Sequence, residues 1–242
     1  MRPKFKRFNN LKPEDINFDF HIHTNQTDGL SSPEEIIKKA ISLKLKAIAF
    51  TEHVDKNSDW FDNFKKRIDA LKKNKNIRIF LGVEAKANDF NGGLDATPDM
   101  VTKSDIVIGT VHRYPNGKGG LIPLNKIKNL GQDKAAETEF RIALGLLKNK
   151  NLDILGHPFG VYSKFFKKFQ QSYIEKLISE SLICNTAIEI NTYYVSLLGL
   201  LERKKFFTLL RKINPYISIG SDAHHRDEIA YNFNILKKGI IQ

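Results

Sequence analysis

The sequence predicts an α/β fold in which seven parallel strands and their crossover helices close into one barrel. Three observations predict it. Short β-branched or apolar runs alternate with longer amphipathic stretches along the chain, the pattern of repeated βα units. The 242 residues, 41% of them hydrophobic, suffice to fill one α/β barrel with no second domain between 1 and 242. Histidines and acids recur at the ends of the apolar runs, where parallel barrels gather their functional side chains.

In chain order the runs are residues 17–22, 47–51, 77–83, 106–110, 152–155, 187–190 and 217–220. Between them, 33–43, 60–73, 134–148, 170–183 and 202–213 carry apolar residues three and four apart, as core-facing helices do. The first helix has a defined start. Ser32 can cap it, Pro33 suits its first position, and Glu34 and Glu35 favour the positive end of its dipole. Two connections are long, 86–99 and 113–133, and both follow runs that end in ligand-type residues. Within the second, Asn116-Gly117-Lys118-Gly119-Gly120 reads as a flexible lid or as a surface insertion. Residues 164–171 set Phe165, Phe166 and Phe169 among Lys164, Lys167 and Lys168, which suits a substrate entrance, a partner surface or a helix burying its aromatic side.

Composition removes several function classes. The one cysteine, Cys184, lies in an apolar stretch and reads as a small buried hydrophobe, which excludes thiolate zinc ribbons, disulfide frameworks and redox pairs. A reducing, cytoplasmic compartment fits. Residues 1–10 are basic without an apolar core, and no later run approaches the ~18 apolar residues of a membrane span, so the chain reads as soluble and unprocessed. The net charge of +12 is spread over helix-like stretches such as 34–46 and 64–75. That suits a solvated lysine face, or a basic surface that draws in phosphates or nucleic acid.

Six of the seven histidines sit in short motifs at run ends: His21-Ile22-His23, Glu52-His53, His112, Gly156-His157-Pro158 and Ser221-Asp222-Ala223-His224. Neutral imidazole is the commonest protein metal ligand, and carboxylates such as Asp222 add anionic oxygen. Strand alternation puts Phe18, Phe20 and Ile22 on one face and Asp19, His21 and His23 on the other, so two imidazoles point together into the barrel. Asp222 and His224 repeat that spacing at the last strand. Glu84 ends the third.

In that order, Phe20-His21-Ile22-His23-Thr24, Asp28-Gly29, Thr51-Glu52-His53, Gly82-Val83-Glu84, Gly109-Thr110-Val111-His112, Gly156-His157-Pro158 and Ser221-Asp222-Ala223-His224 resemble the polymerase and histidinol phosphatase (PHP) family of metal-dependent phosphoesterases. The match runs from residue 19 to 224. The resemblance implies a distorted, TIM-like (β/α)7 barrel and two or three divalent ions, zinc, manganese or iron. It assigns His21, His23, Glu84 and Asp222 to one ion and Glu84, His112 and His157 to a second, with Glu84 bridging. Asp28, His53 and His224 would hold a third. The family uses either His or Asp at the position of Asp28, and a carboxylate there favours a harder ion such as manganese or a weaker site.

Such a family implies phosphate ester hydrolysis by a metal-bridging hydroxide, with the ions clamping oxygens that gain charge. Arg113 and Arg226, each within two residues of a ligand histidine, are candidates to grip the phosphate, or are surface arginines. His225 is a candidate general acid or an exposed neighbour. Glu189 and Asn191 face the mouth and suit hydrogen bonds to a ligand histidine or substrate, although Asn191 also suits a turn. The favoured reading is a small phosphorylated substrate, as in a histidinol-phosphate phosphatase. A nuclease or nucleotide phosphodiesterase is the alternative, and an inactive metal-binding module is disfavoured by the complete ligand set.

Overall fold

A computed structural model of the chain describes residues 2–116, 120–166 and 170–241. Its barrel strands are β2 (Phe18–Ile22), β3 (Ala47–Val54), β4 (Arg78–Lys86), β5 (Ile106–Thr110), β8 (Ile154–Leu155), β9 (Ala187–Asn191) and β10 (Tyr216–Gly220). These are the seven expected runs. They pair in parallel and in sequential order, and a short β1 (Lys6–Arg7) adds antiparallel to β10. The cylinder closes at its C-terminal end, where Ile22 bridges Ala223 in the parallel sense and the His23 N–H donates to the Ala223 carbonyl at 2.9 Å.

Alternation along the strands sorts the side chains into two apolar layers. Phe20, Ala49, Phe80, Ile106, Ile108, Ile154 and Ala187, drawn from six strands, fill the lower barrel. Ile48, Phe50, Leu81, Val83, Val107, Leu155, Ile188, Ile190, Ile217 and Ile219 point the other way and pack on the helices. These include α1 (Pro33–Ser42), α2 (Phe61–Leu71), α5 (Gln132–Leu147), α7 (Gln171–Cys184) and α9 (Leu200–Ile213). At the start of α1, Ser32 and Glu35 form the reciprocal cap that their spacing allows, and Pro33 takes the first position.

On β2 the expected alternation fails. Its pairing with β3 shifts register between Asp19 and Ile22, so Phe20 enters the lower barrel while Ile22 joins the outer layer. Asp19 therefore leaves the histidine face. Its carboxylate accepts the Ser221 N–H at 2.9 Å, the Ser221 hydroxyl at 2.6 Å and the Ala230 N–H at 3.0 Å, tying β2 to the segment after β10.

Both long connections carry structure of their own. The first holds an isolated antiparallel bridge between Ala87 and Leu94 and runs into α3 (Pro98–Lys103). The second contains the antiparallel ribbon β6 (Tyr114–Pro115) and β7 (Leu121–Ile122), then α4 (Leu124–Ile127). Short α6 (Gly160–Phe166) and α8 (Thr192–Leu197) follow β8 and β9, and α10 (Phe233–Ile241) ends the described chain. None of these is long enough to show a helical period in sequence except α10. Gly117, Lys118 and Gly119 of the expected lid, and Lys167, Lys168 and Phe169 of the aromatic segment, lie outside the described residues. Cys184 is half-buried rather than enclosed, because it ends α7. Among the described residues no helix is long and apolar enough to cross a membrane.

One buried acid lies away from the barrel mouth. Glu139 on α5 is fully enclosed and accepts hydrogen bonds from the Tyr114 hydroxyl at 2.5 Å and the Tyr162 N–H at 2.7 Å. Burial pushes its carboxyl up from 4.5 to about 7 against those donors. Because the folded value lies above the unfolded one, its contribution to stability is full below pH 4.5 and is lost as pH rises through about 7. Glu139→Gln, which cannot ionise, is therefore expected to gain stability relative to wild type between pH 5 and 8, by on the order of 2 kcal/mol. Urea unfolding at both pH values measures it, and an unchanged difference contradicts it.

Candidate metal centre

Above the apolar layer, glycines make space for a polar one. A Cβ on Gly220 would lie 2.3 Å from Glu189 Oε1 and 2.4 Å from His21 Cβ. A Cβ on Gly156 would lie 2.6 Å from the side chains of both Ile108 and Thr110. Without Gly220 the Glu189 carboxylate and the His21 side chain could not sit this close together, and Gly156 lets its strand end lie against β5.

Glu84, fully buried near the end of β4, is the hub. Its Oε1 lies 3.1 Å from His112 Nε2, 3.0 Å from His157 Nε2 and 3.5 Å from His21 Nε2. Its Oε2 lies 2.6 Å from His53 Nδ1 and 3.5 Å from His23 Nε2. Asp222 Oδ1 sits 3.3 Å from His23 Nε2 and 3.6 Å from His21 Nε2. Asp28 Oδ2 sits 3.2 Å from His53 Nε2 and 3.4 Å from His224 Nε2. Asp222 holds a left-handed backbone, φ 58°, which aspartate tolerates better than most residues. All nine sequence-derived candidates are thus brought to one place.

Carboxylates facing this many imidazoles shift the local proton balance. Burial would push the Glu84 carboxyl up, yet the His112, His21 and His53 rings outweigh it and hold it well below the usual carboxylate range. Asp222 is likewise held low against burial by His21 and His23. Burial drives His23 down to about 4, leaving it neutral with one ring nitrogen free to bind a cation. His53 goes up to about 10, since Glu84 and Asp28 outweigh burial.

This donor set fits divalent cations. Among the described residues, four overlapping groups have their donor atoms within 4.8 Å of one another: His23, Asp28, His53 and His224; His21, Glu84 and His157; His21, His23 and Asp222; His53, Glu84 and His112. His21 Nε2 and both His23 ring nitrogens are buried without a hydrogen-bond partner, an arrangement that is costly unless a cation sits among them. Nitrogen and carboxylate oxygen without thiolate suit zinc, manganese and iron alike.

Glu189 orients the deep ligands, as its place on β9 anticipated. Its Oε1 is 2.6 Å from His21 Nδ1, and its Oε2 accepts the His157 N–H at 2.6 Å. Asn191 caps α8, accepting the Tyr193 and Tyr194 N–H groups, so it starts a turn and its oxygen does not reach the ligand rings.

The cleft above the ligands is lined by Asp28, His53, His112, Asp222 and His224, by Arg113, Lys86 and Lys164, and by Phe165 and Tyr194. Arg113 is where the sequence placed it. For Arg226 and His225 the surface alternative holds, and neither reaches the cleft. Arg226 turns to α1 and pairs with Glu35 at 2.8 Å, and His225 Nδ1 accepts the Asp227 N–H at 3.3 Å, capping the next turn. The chain leaves the barrel axis after His224, which carries both side chains away from the mouth. Sequence reading missed Lys86 and Tyr194. Lys86 was open to it, two residues beyond Glu84 on the same strand face. Tyr194 depended on a helix starting directly at the end of β9.

Comparison with known proteins agrees with this geometry. A probable phosphatase of Caldicellulosiruptor saccharolyticus is 26% identical over 223 residues, covering 89% of this chain and 83% of that protein. The DNA polymerase/3'-5' exonuclease PolX of Bacillus subtilis is 30% identical over 184 residues, 73% of this chain and 29% of that protein. Among solved structures, histidinol phosphate phosphatase from Lactococcus lactis subsp. lactis Il1403, complexed with zinc, L-histidinol and phosphate, shares the fold with a TM-score of 0.69 at 17% identity, over 93% of this chain and 92% of that one. The PHP domain model itself matches residues 19–195, which hold seven of the nine clustered residues and most of the barrel. The chain accordingly belongs to the PHP domain family, a family of phosphoester hydrolases.

Proposed function

We propose that the chain hydrolyses a small phosphomonoester at a centre of two or three divalent ions. His21, His23, Glu84 and Asp222 would hold one ion, Glu84, His112 and His157 a second, and Asp28, His53 and His224 a third. The observation that carries this reading is the set of buried, partnerless ring nitrogens of His21 and His23 beside the Glu84 carboxylate. Divalent ions in such a site supply an activated water and offset the charge that builds on the phosphate oxygens.

The chain's own side chains do the rest. Arg113, Lys86 and Lys164 add three positive charges to the lining of the cleft, a match for a phosphate dianion. Burial, with the charges of Asp222 and Glu84, pushes the Tyr194 hydroxyl far above its usual range, so it stays protonated and can donate to a phosphate or leaving-group oxygen. His225 and Arg226 have no part in this reading, because neither side chain lines the cleft.

The histidinol and phosphate held by the Lactococcus protein support a small ester. The exonuclease relative and the net charge of +12 favour a second reading, hydrolysis of nucleic acid. Purified protein with manganese or zinc, assayed against histidinol phosphate, nucleoside monophosphates, cyclic nucleotides and a labelled single-stranded oligonucleotide, separates the two. Phosphate release from small monoesters alone supports the proposal, and cleavage of the oligonucleotide alone overturns it. Arg113→Ala is expected to raise KM for a phosphomonoester roughly tenfold with kcat nearly unchanged, since its contact forms before the transition state. A fall in kcat at constant KM would contradict that role.

A further inference from the structure

We propose that Glu139, which lies outside the cleft, is a positioning residue for His112 and His157. The connections that carry these two histidines leave different strands, β5 and β8, and are 45 residues apart in sequence. Their rings nevertheless stack with centroids 5.2 Å apart and planes within 5°, and both Nε2 atoms face Glu84 Oε1. Something must hold the two backbones in register. One carboxylate does so.

Two residues beyond His112, the buried Tyr114 donates its hydroxyl to Glu139 Oε2 at 2.5 Å. Four and five residues beyond His157, Val161 and Tyr162 donate their N–H groups to Glu139 Oε1 and Oε2 at 3.2 and 2.7 Å. These are first-turn amides of α6, which lack intrahelical acceptors and so need an outside one. Between His157 and that helix the chain passes through Phe159 at φ 66°, a left-handed conformation that a bulky residue keeps only when its surroundings impose it.

His157 needs such support, as its own ring lacks a hydrogen-bonded anchor. The other ring nitrogen of His21 is oriented by Glu189, and that of His224 lies 2.9 Å from the Asp222 carbonyl, but His157 Nδ1 is buried with no hydrogen-bond partner. Its ring direction is inherited from backbone and stacking; Glu189 holds that backbone at the His157 N–H, and Glu139 holds it on the far side, at the start of α6.

This rests on the reading that these histidines hold an ion. The test is calorimetric titration of metal-free full-length protein with manganese, comparing wild type, Glu139→Ala, Glu139→Gln and Tyr114→Phe, with melting of each metal-free protein alongside. We expect Glu139→Ala to weaken one class of ion roughly tenfold, Glu139→Gln to recover part of the loss, and Tyr114→Phe to weaken the same class by a few-fold with its metal-free melting temperature unchanged. Wild-type affinity for every ion in a folded Glu139→Ala or Tyr114→Phe protein would overturn the positioning role. Equal weakening of all ions in step with the melting temperature would also overturn it. A wild type that takes up no ion would instead overturn the metal reading on which it rests.

Discussion

Glu84→Ala is expected to strip the centre of most of its metal and to lower kcat/KM for a phosphomonoester by at least about 10³-fold. The magnitude follows from the several kcal/mol that clustered ions contribute to such transition states, at 1.36 kcal/mol per tenfold in rate. Glu84 is the one acid within 3.5 Å of five different imidazoles. Its removal opens every proposed ion group but that of Asp28, His53 and His224. Glu84→Gln should behave almost as badly, because an amide keeps the shape but loses the negative charge that offsets the cations. Elemental analysis of the dialysed variants together with phosphate release checks both. Full metal content with wild-type turnover in Glu84→Gln would show that the carboxylate is not a ligand.

Glu189→Ala should come next in severity, although no ion touches that residue in the proposed scheme. Its two oxygens orient His21 through Nδ1 and anchor the backbone of His157, both at 2.6 Å. Loss of such a partner typically lowers metal affinity or activity by 10- to 100-fold. The His157 amide left buried and unpaired costs a further ~1–3 kcal/mol of stability. Gln at this position can accept at only one oxygen, so Glu189→Gln should fall between wild type and alanine. Metal titration and thermal melting report the two effects separately. Unchanged metal affinity in Glu189→Ala would mean that the His21 ring is held by packing alone.

The barrel was legible because its signal is repeated. Seven apolar runs, five amphipathic stretches and motifs at successive strand ends all demand the same topology, and the observed strands differ from the expected ones by only a few residues at their ends. The nine clustered residues were legible for the same reason, since parallel strands deliver their C-terminal ends to one mouth. What sequence could not show were departures from period. The register shift on β2 sends Asp19 to Ser221 and Ala230, and no alternation pattern contains a bulge. His225 and Arg226 looked suitable by adjacency to His224, but adjacency says nothing about where a chain turns after its last strand residue. Tyr194 and Glu139 gain their places from short or distant contacts, through α8 and through Tyr114, that no local spacing encodes.

In the proposed function the histidine and carboxylate cluster works through bound divalent ions. Phosphate release from a small phosphomonoester, followed while manganese or zinc is added back to chelator-stripped protein, tests it most directly. No release should occur in the stripped protein, with turnover rising and levelling at two or three ions per chain. Undiminished release from the stripped protein, with the chelator still present, would contradict the account.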